Sequence, residues 1–251
     1  KELLATNVEI GLHGYNHIPL TKDRWKEDDL ENVLKTLKMF LKNTLGENYI
    51  PYTYVAPDNI IDEFGIQKLL ENFPTIKLIG TTYKGTDALS EFTVVKEGTV
   101  IVPRTTSGYY PVNKLVTDSV LSLMMLGTFQ YFLHPDDLFS KDRNPEERTW
   151  FEMSASLIEF FDTMKKYYPY LRNHYSSDSA EIIYDFLTQN PLIRKQKEKI
   201  VVELSMGYHL PRYYYLRIDR PFTLVGGKII YSYDKLFVIE QNEKKMEIIY
   251  F

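Results

Sequence analysis

Leu30, Val33, Leu34, Leu37, Leu41 and Leu45 recur three and four positions apart, after Asp28-Asp29 and before Gly46. That spacing predicts an amphipathic helix with an aspartate cap and a glycine stop. Ahead of it, VEIGLH alternates like a short strand. YIPYTYVAP reads as a second strand closed by Pro57, DEFGIQKLLENF as a helix through Phe64, Ile66, Leu69, Leu70 and Phe73, and TIKLIGTTY as a third strand. TVIVPR continues the alternation, followed by the helix NKLVTDSVLSLMML with Asn113 as cap and Gly127 as stop. FQYFLH is an apolar run of the kind found in strands covered on both faces. FEMSASLIEFFDTMKKYY, stopped by Pro169, and DSAEIIYDFLTQN, started by an Asp178 cap, add two helices.

Strand and helix in alternation predict an α/β fold of parallel strands with helices outside, whose functional residues sit on loops leaving the carboxyl ends of the strands. From about Lys199 the pattern changes. KIVVELSM, RYYYLRID, FTLVGG, KIIYSY, KLFVIEQ and KMEIIYF are short β-type runs separated by Gly226-Gly227 and Asn242-Glu243. The expected organisation is an α/β domain over residues 1–196 and a small antiparallel module over 197–251. RKQKEK, Arg194 to Lys199, reads as a solvated connector.

Composition narrows the function classes. The 251 residues, 44% hydrophobic, suffice for a sizeable core. With 30 Lys+Arg against 34 Asp+Glu and a formal net charge of −4, the chain offers no broad positive field, which argues against nucleic acid as a partner. No apolar run approaches the roughly 20 residues of a membrane span. Without cysteine there is no disulfide, thiolate ligand or cysteine nucleophile. The serine-hydrolase elbow, the P-loop and the dinucleotide glycine motif are all missing. The 20 tyrosines and 14 phenylalanines suit core packing and also the faces of sugars.

Two of the predicted strand ends carry histidine. His13 and His17, in HGYNH, stand at i and i+4, so a helically turning loop would let both imidazoles converge on one cation; equally, both could be turn residues bonded to carbonyls around Gly14 and Asn16. A catalytic Zn²⁺ would need a third protein ligand. His134 closes FQYFLH and precedes Pro135-Asp136-Asp137, where it can donate a proton to a leaving group while the aspartates orient it or cap the next turn. Asp58, after Pro57, could give a carboxylate or cap the following helix. Arg104 ends TVIVPR, where its planar fork could fix a carboxylate or make an exposed ion pair. His174 and His209 are isolated and read as structural.

Together, HGYNH and FLH resemble the polysaccharide deacetylase family, the NodB-like carbohydrate esterases of family 4, over roughly residues 8–190. The family's metal motif is His-[Ser/Thr]-x-x-His, matched at both histidines with Gly14 at the hydroxyl position; its Leu-x-His motif is matched by Phe132-Leu133-His134. The resemblance implies an incomplete or distorted (β/α) barrel, a divalent metal, zinc by expectation, on His13 and His17, and a general-acid role for His134. Asp136 and Arg104 would support that chemistry, and Tyr15, Pro57, Asp58, Tyr109, Tyr110 and Phe132 would line the substrate. The implied reaction removes acetyl groups from N-acetylhexosamine units of a polysaccharide, outside the cell or in its envelope.

Two departures qualify the match. The family's Arg-x-Pro is here Val55-Ala56-Pro57, which makes Arg104 the expected spatial substitute. The Thr-Phe-Asp-Asp motif, which supplies the base and a metal-binding aspartate, does not precede residue 8, so the resemblance implies an upstream part of the same protein with further strand–helix units. A sugar-binding barrel without turnover is one alternative. A barrel glycosidase with paired carboxylates such as Asp136 and Glu152 is another.

Overall fold

A computed structural model describes residues 8–82, 91–188, 190–204 and 211–251. The chain divides into two compact units, Lys1–Ala180 and Glu181–Phe251. The first contains α1 (Glu27–Leu45), β1 (Thr53–Val55), α2 (Glu63–Asn72), β2 (Leu78–Thr82), β3 (Thr93–Lys96), β4 (Thr99–Arg104), β5 (Thr106–Ser107), α3 (Val112–Leu126), β6 (Tyr131–Phe132) and α4 (Trp150–Tyr167). Helix α5 (Ser176–Thr188) runs across the division. The second unit holds β7 (Leu192–Lys195), β8 (Lys199–Glu203), β9 (Arg212–Arg217), β10 (Phe222–Val225), β11 (Gly227–Tyr233), β12 (Leu236–Gln241) and β13 (Lys245–Tyr250).

This is a mixed α/β fold with several sheets. In the first unit one sheet has the order β1-β2-β4-β3, with β1, β2 and β4 parallel and β3 antiparallel to β4. Leu12 adds a single parallel bridge to Tyr54 on the other side of β1. Strands β5 and β6 pair in parallel, with only Thr105 between β4 and β5. Among the described residues these strands form separate sheets and no closed barrel.

The burial pattern explains the layers. Val100 and Ile101 are fully buried, as expected of a strand covered on both faces. Leu30 and Leu34 of α1 and Ile66, Leu69 and Leu70 of α2 form one core with Leu12, Tyr54, Ile79 and Ile101. A second core joins Leu115 of α3 to Phe160 and Met164 of α4, with Tyr131 stacked on Phe160 at 4.9 Å. FQYFLH, expected to be a fully covered strand, shortens to Tyr131–Phe132 and is half-buried, because one face packs on α4 while the other is partly open.

The helix starts differ from several expectations. Asp28 and Asp29 lie inside the first turn of α1, where they favour the helix dipole, and Lys26 holds the cap position. Asn113 lies within α3, preceded by Pro111 at the cap position, and Asp178 lies in the first turn of α5. Asp58 caps no helix: Asp62 does so for α2, accepting from Gly65 N at 2.8 Å. Gly65 is there because a Cβ would stand 1.8 Å from the Leu20 carbonyl oxygen. Thr149 and Glu152 close a capping box on α4.

In the second unit, sheet β10-β13-β8-β7 and sheet β11-β12-β9 bury Val202, Met246 and Ile248 from one and Ile239 from the other in a shared core. Every β run expected after Lys199 forms a strand. The charged connector does not stay a connector: Leu192–Lys195 pairs with β8 as an edge strand, where exposed Arg and Lys are well tolerated.

Candidate functional site

The histidine loop leaves the sheet directly after Leu12. VEIGLH makes no strand beyond that bridge, yet the segment is held: Leu12 N donates to Thr53 O and Val55 N to Leu12 O, each at 2.8 Å. Upstream, the Glu9 carboxylate accepts from Thr53 Oγ1 and from the Ser177 amide, at 3.1 Å, and hydroxyl. His13 therefore starts from a fixed backbone.

His13 Nδ1 lies 2.9 Å from the Val55 carbonyl oxygen. A carbonyl only accepts, so Nδ1 carries the proton and the neutral ring keeps its lone pair on Nε2. His17 faces Asp58, with Nδ1 to Oδ1 at 3.6 Å, and the two imidazole centroids are 4.9 Å apart at 75°. The loop does not turn helically. Gly14, Asn16 and His17 have φ of 77°, 50° and 56°, so left-handed residues bring the pair together. Opposite them, Asp58 and Asn59 are also left-handed, at 51° and 61°. Such non-glycine strain on two facing loops is typical of a site that over-determines its geometry.

Gly14 has a local reason. A Cβ there would lie 2.9 Å from Pro57 Cγ and 3.4 Å from the Tyr54 hydroxyl. That hydroxyl is buried and unpartnered, as is Asn59 Oδ1, and burial pushes the Tyr54 phenol well up from its usual range. Pro57 is buried beneath the loop, and Tyr15 is exposed at its tip.

A second cluster is built on Phe132. The Arg104 guanidinium sits 3.9 Å from the Phe132 ring centroid, and Nε donates to Thr81 O at 3.3 Å. Burial brings Arg104 down to about 10, leaving it charged at neutral pH. It makes a stacked contact instead of the exposed ion pair also considered for it. His134 meets the same Phe132 ring edge-on at 5.2 Å.

Beyond it, Arg143 Nη1 approaches His134 Nδ1 at 3.3 Å while Nε pairs with Asp137 at 2.6 Å and Nη2 with Asp136 at 3.5 Å. Burial pushes the Asp137 carboxyl up, opposed by Arg143. Tyr109 is buried with its hydroxyl toward His134 O at 3.5 Å, and burial, then Asp137, pushes its phenol up. Tyr110 donates to Asn144 Oδ1 at 2.9 Å under Arg148.

Arg143 was not legible in the sequence; its only signal was an arginine nine residues beyond His134. Glu152 accepts from Thr149 N and Oγ1 at 2.8 Å, as part of the cap on α4. His174 is exposed on a loop, and His209 lies outside the described residues.

His13, Asp58 and His134 follow the carboxyl ends of parallel segments, and Arg104 is the last residue of one. Val55 is the next link: its register partner Gly80 precedes Thr81, whose carbonyl takes Arg104. The two histidine elements are thus joined by a continuous set of contacts across the sheet edge.

Two imidazole nitrogens held at about 2.1 Å by one tetrahedral cation keep their ring centroids roughly 5 Å apart. His13 and His17, at 4.9 Å and 75°, stand at that separation, which is also that of an edge-on ring contact. Among the described residues no group of three His, Cys, Asp or Glu could complete such a site. No helix is long and apolar enough to cross a membrane among the described residues.

The fold and this edge define an α/β protein with paired histidines at one end of a parallel sheet. The chain belongs to the family described as "Uncharacterised protein conserved in bacteria (DUF2194)", whose model matches residues 1–238. Among solved structures it is similar to the crystal structure of a "putative polysaccharide deacetylase" from Mycobacterium smegmatis, with a TM-score of 0.52 and 18% identity over 78% of this chain and 70% of that one. At that identity the likeness is one of fold. No curated protein matches the chain.

Proposed function

We propose that the chain carries the metal-binding and proton-donating histidines of a deacetylase acting on N-acetylated sugar units of a polysaccharide. The observation that supports it best is the His13–His17 pair at 4.9 Å, with the His13 tautomer fixed by Val55 so that Nε2 carries the lone pair a cation would take. A divalent cation there, zinc by its preference for imidazole, would supply Lewis acidity toward the acetyl carbonyl.

The chain's own residues supply the rest. Val55 O holds the His13 imidazole in orientation, and the Asp58 carboxylate, 3.6 Å from His17 Nδ1, would do the same for His17 once a cation draws the two together. The proton needed by the departing amine would come from His134. With Arg143 donating toward Nδ1, the neutral His134 ring keeps its proton on Nε2; acid catalysis therefore requires the imidazolium, with Arg143 turned wholly to Asp136 and Asp137. Phe132 meets the ring edge-on and is itself stacked by Arg104, and Tyr15 at the tip of the histidine loop would meet the sugar, whereas Tyr109, expected to line the substrate, is buried and packs behind His134. The base and third metal ligand are not assigned among the described residues.

Leu12, β1, β2 and β4 take successive positions in one sheet, while β6, which leads to His134, pairs with β5 in another, so strand register does not by itself bring His134 to His13. A shared reacting centre therefore needs the two sheets to curl together toward a barrel. A crystal structure with the His134 ring beyond about 12 Å from both other rings would sink the enzymatic reading.

The activity test is acetate release from an N-acetylglucosamine hexamer with zinc present. Release that falls about 100-fold in His134→Ala supports the proposal. Binding of the hexamer without any acetate would leave a sugar-binding protein.

A further inference from the structure

The second unit presents a surface that the histidine site does not use. Along β12 the side chains of Phe237 and Ile239 enter the core, so Leu236, Val238 and Glu240 face the opposite way. Register places Arg217, Tyr215 and Tyr213 of β9 beside them on one side and Tyr233, Tyr231 and Lys228 of β11 on the other. The outer face is therefore a trough: two rows carrying four tyrosines flank a floor of Leu236, Val238 and Glu240.

The rows stand two strand spacings apart, about 9.6 Å, and successive tyrosines within a row about 6.8 Å apart. Tyr215 is 73% and Tyr233 71% exposed, while Val238 on the floor is only 7% exposed. The bulge between Ile229 and Tyr231 restores Tyr231 and Tyr233 to the outer face after the strand has bent.

This chemistry selects its occupant. The floor offers only Leu236 and a Val238 that is already buried, so a protein partner would find little to bury beyond the tyrosine rings themselves. Positive charge is sparse, since Lys228 is paired with Glu240 at 2.9 Å and only Arg217 remains beside them. Glu240 also accepts from Tyr213 at 2.9 Å, so the polar end of the trough is pre-ordered. What the face offers is aromatic rings with hydroxyl rims. A pyranose ring is their complement, with an apolar C–H face and an equatorial rim of hydroxyls.

We propose that the outer face of the β11-β12-β9 sheet binds a single uncharged glycan chain, noncatalytically, through Tyr215, Tyr231 and Tyr233. The choice of a glycan also draws on the deacetylase reading, but the face belongs to the second unit and the histidines to the first, and it is tested separately.

The experiment measures binding of an N-acetylglucosamine hexamer by titration calorimetry to the whole chain, to Tyr215→Ala/Tyr233→Ala, to Tyr215→Phe and to His13→Ala/His17→Ala. A loss of about tenfold or more in the double tyrosine variant supports the proposal, provided that its thermal melting matches wild type, Tyr215→Phe retains most affinity and the histidine variant still binds. Unchanged affinity in the tyrosine variant, or no binding by the wild-type chain, overturns it. So does a wild-type dimer that the tyrosine substitutions dissociate, because the face would then serve a second copy. Failure of the deacetylase reading shows instead as absent acetate release with hexamer binding intact.

Discussion

His13 donates from Nδ1 to the carbonyl oxygen of Val55, 2.9 Å away and 42 residues along the chain. One hydrogen bond thereby ties the histidine loop to the end of β1 and fixes which ring nitrogen is free. The neighbouring His17 has no such carbonyl; it has the Asp58 carboxylate at 3.6 Å.

Asp58→Asn is predicted to weaken zinc binding by about tenfold, the usual cost of losing an orienting partner to a ligating imidazole. Both side chains are more than half exposed, so the melting temperature should not move. Competition with a zinc chelator dye, alongside a thermal melt, separates the two effects. Equal affinities would remove Asp58 from the site.

Gly65→Ala tests the packing of α2 against Leu20. The added methyl meets the Leu20 carbonyl at 1.8 Å, so backbone must move, at a cost of about 3 kcal/mol or more. Asp62→Ala loses only the cap on α2, about 1 kcal/mol. Urea unfolding of both variants should rank them in that order.

How much of this was visible beforehand depends on which physics decided each element. Helix α1 followed its leucine periodicity, and β4 its unbroken apolar run, because burial alone selects those patterns. The caps were misread where two aspartates compete: Asp58 precedes the helix by chemistry, but the left-handed turn at Asp58-Asn59 delays α2 until Asp62 can cap it. Strand β3 was missed although Glu97-Gly98 between two apolar runs is a hairpin signal. Both histidine elements were legible as motifs; Val55 and Arg143, which settle the tautomers of His13 and His134, act through a backbone carbonyl and a distant loop that no local pattern announces.

Arg143→Met removes the cation that compensates the buried Asp137 carboxylate at 2.6 Å. A loss of about 1–3 kcal/mol is expected at neutral pH. Burial already holds the Asp137 carboxyl above its ordinary value, so its ionisation costs the fold; without Arg143 that cost grows as pH rises above 3.8 and shrinks again below it. Melting temperatures of the variant and wild type should therefore converge in acid. A constant difference across pH would contradict this role.

Glu247 bridges Lys199 on β8 and Lys245 on β13, and those ammonium groups hold its carboxyl below the ordinary 4.5. A depressed carboxyl stabilises the fold above its unfolded value, and the contribution is lost as pH falls through the folded one. The wild-type chain should lose more stability than Glu247→Gln on acidification from pH 7 to below 4.5, read by the melting of the β signal in circular dichroism. Parallel losses in both would show that the bridge contributes nothing.

The account rests on His13 and His17 binding one cation together. Calorimetric titration of zinc into the chain, beside His13→Ala and His17→Ala, tests it directly: one zinc per wild-type chain and affinity reduced about tenfold or more in each variant are predicted. No zinc binding by the wild-type chain, or binding that both substitutions leave unchanged, would contradict it.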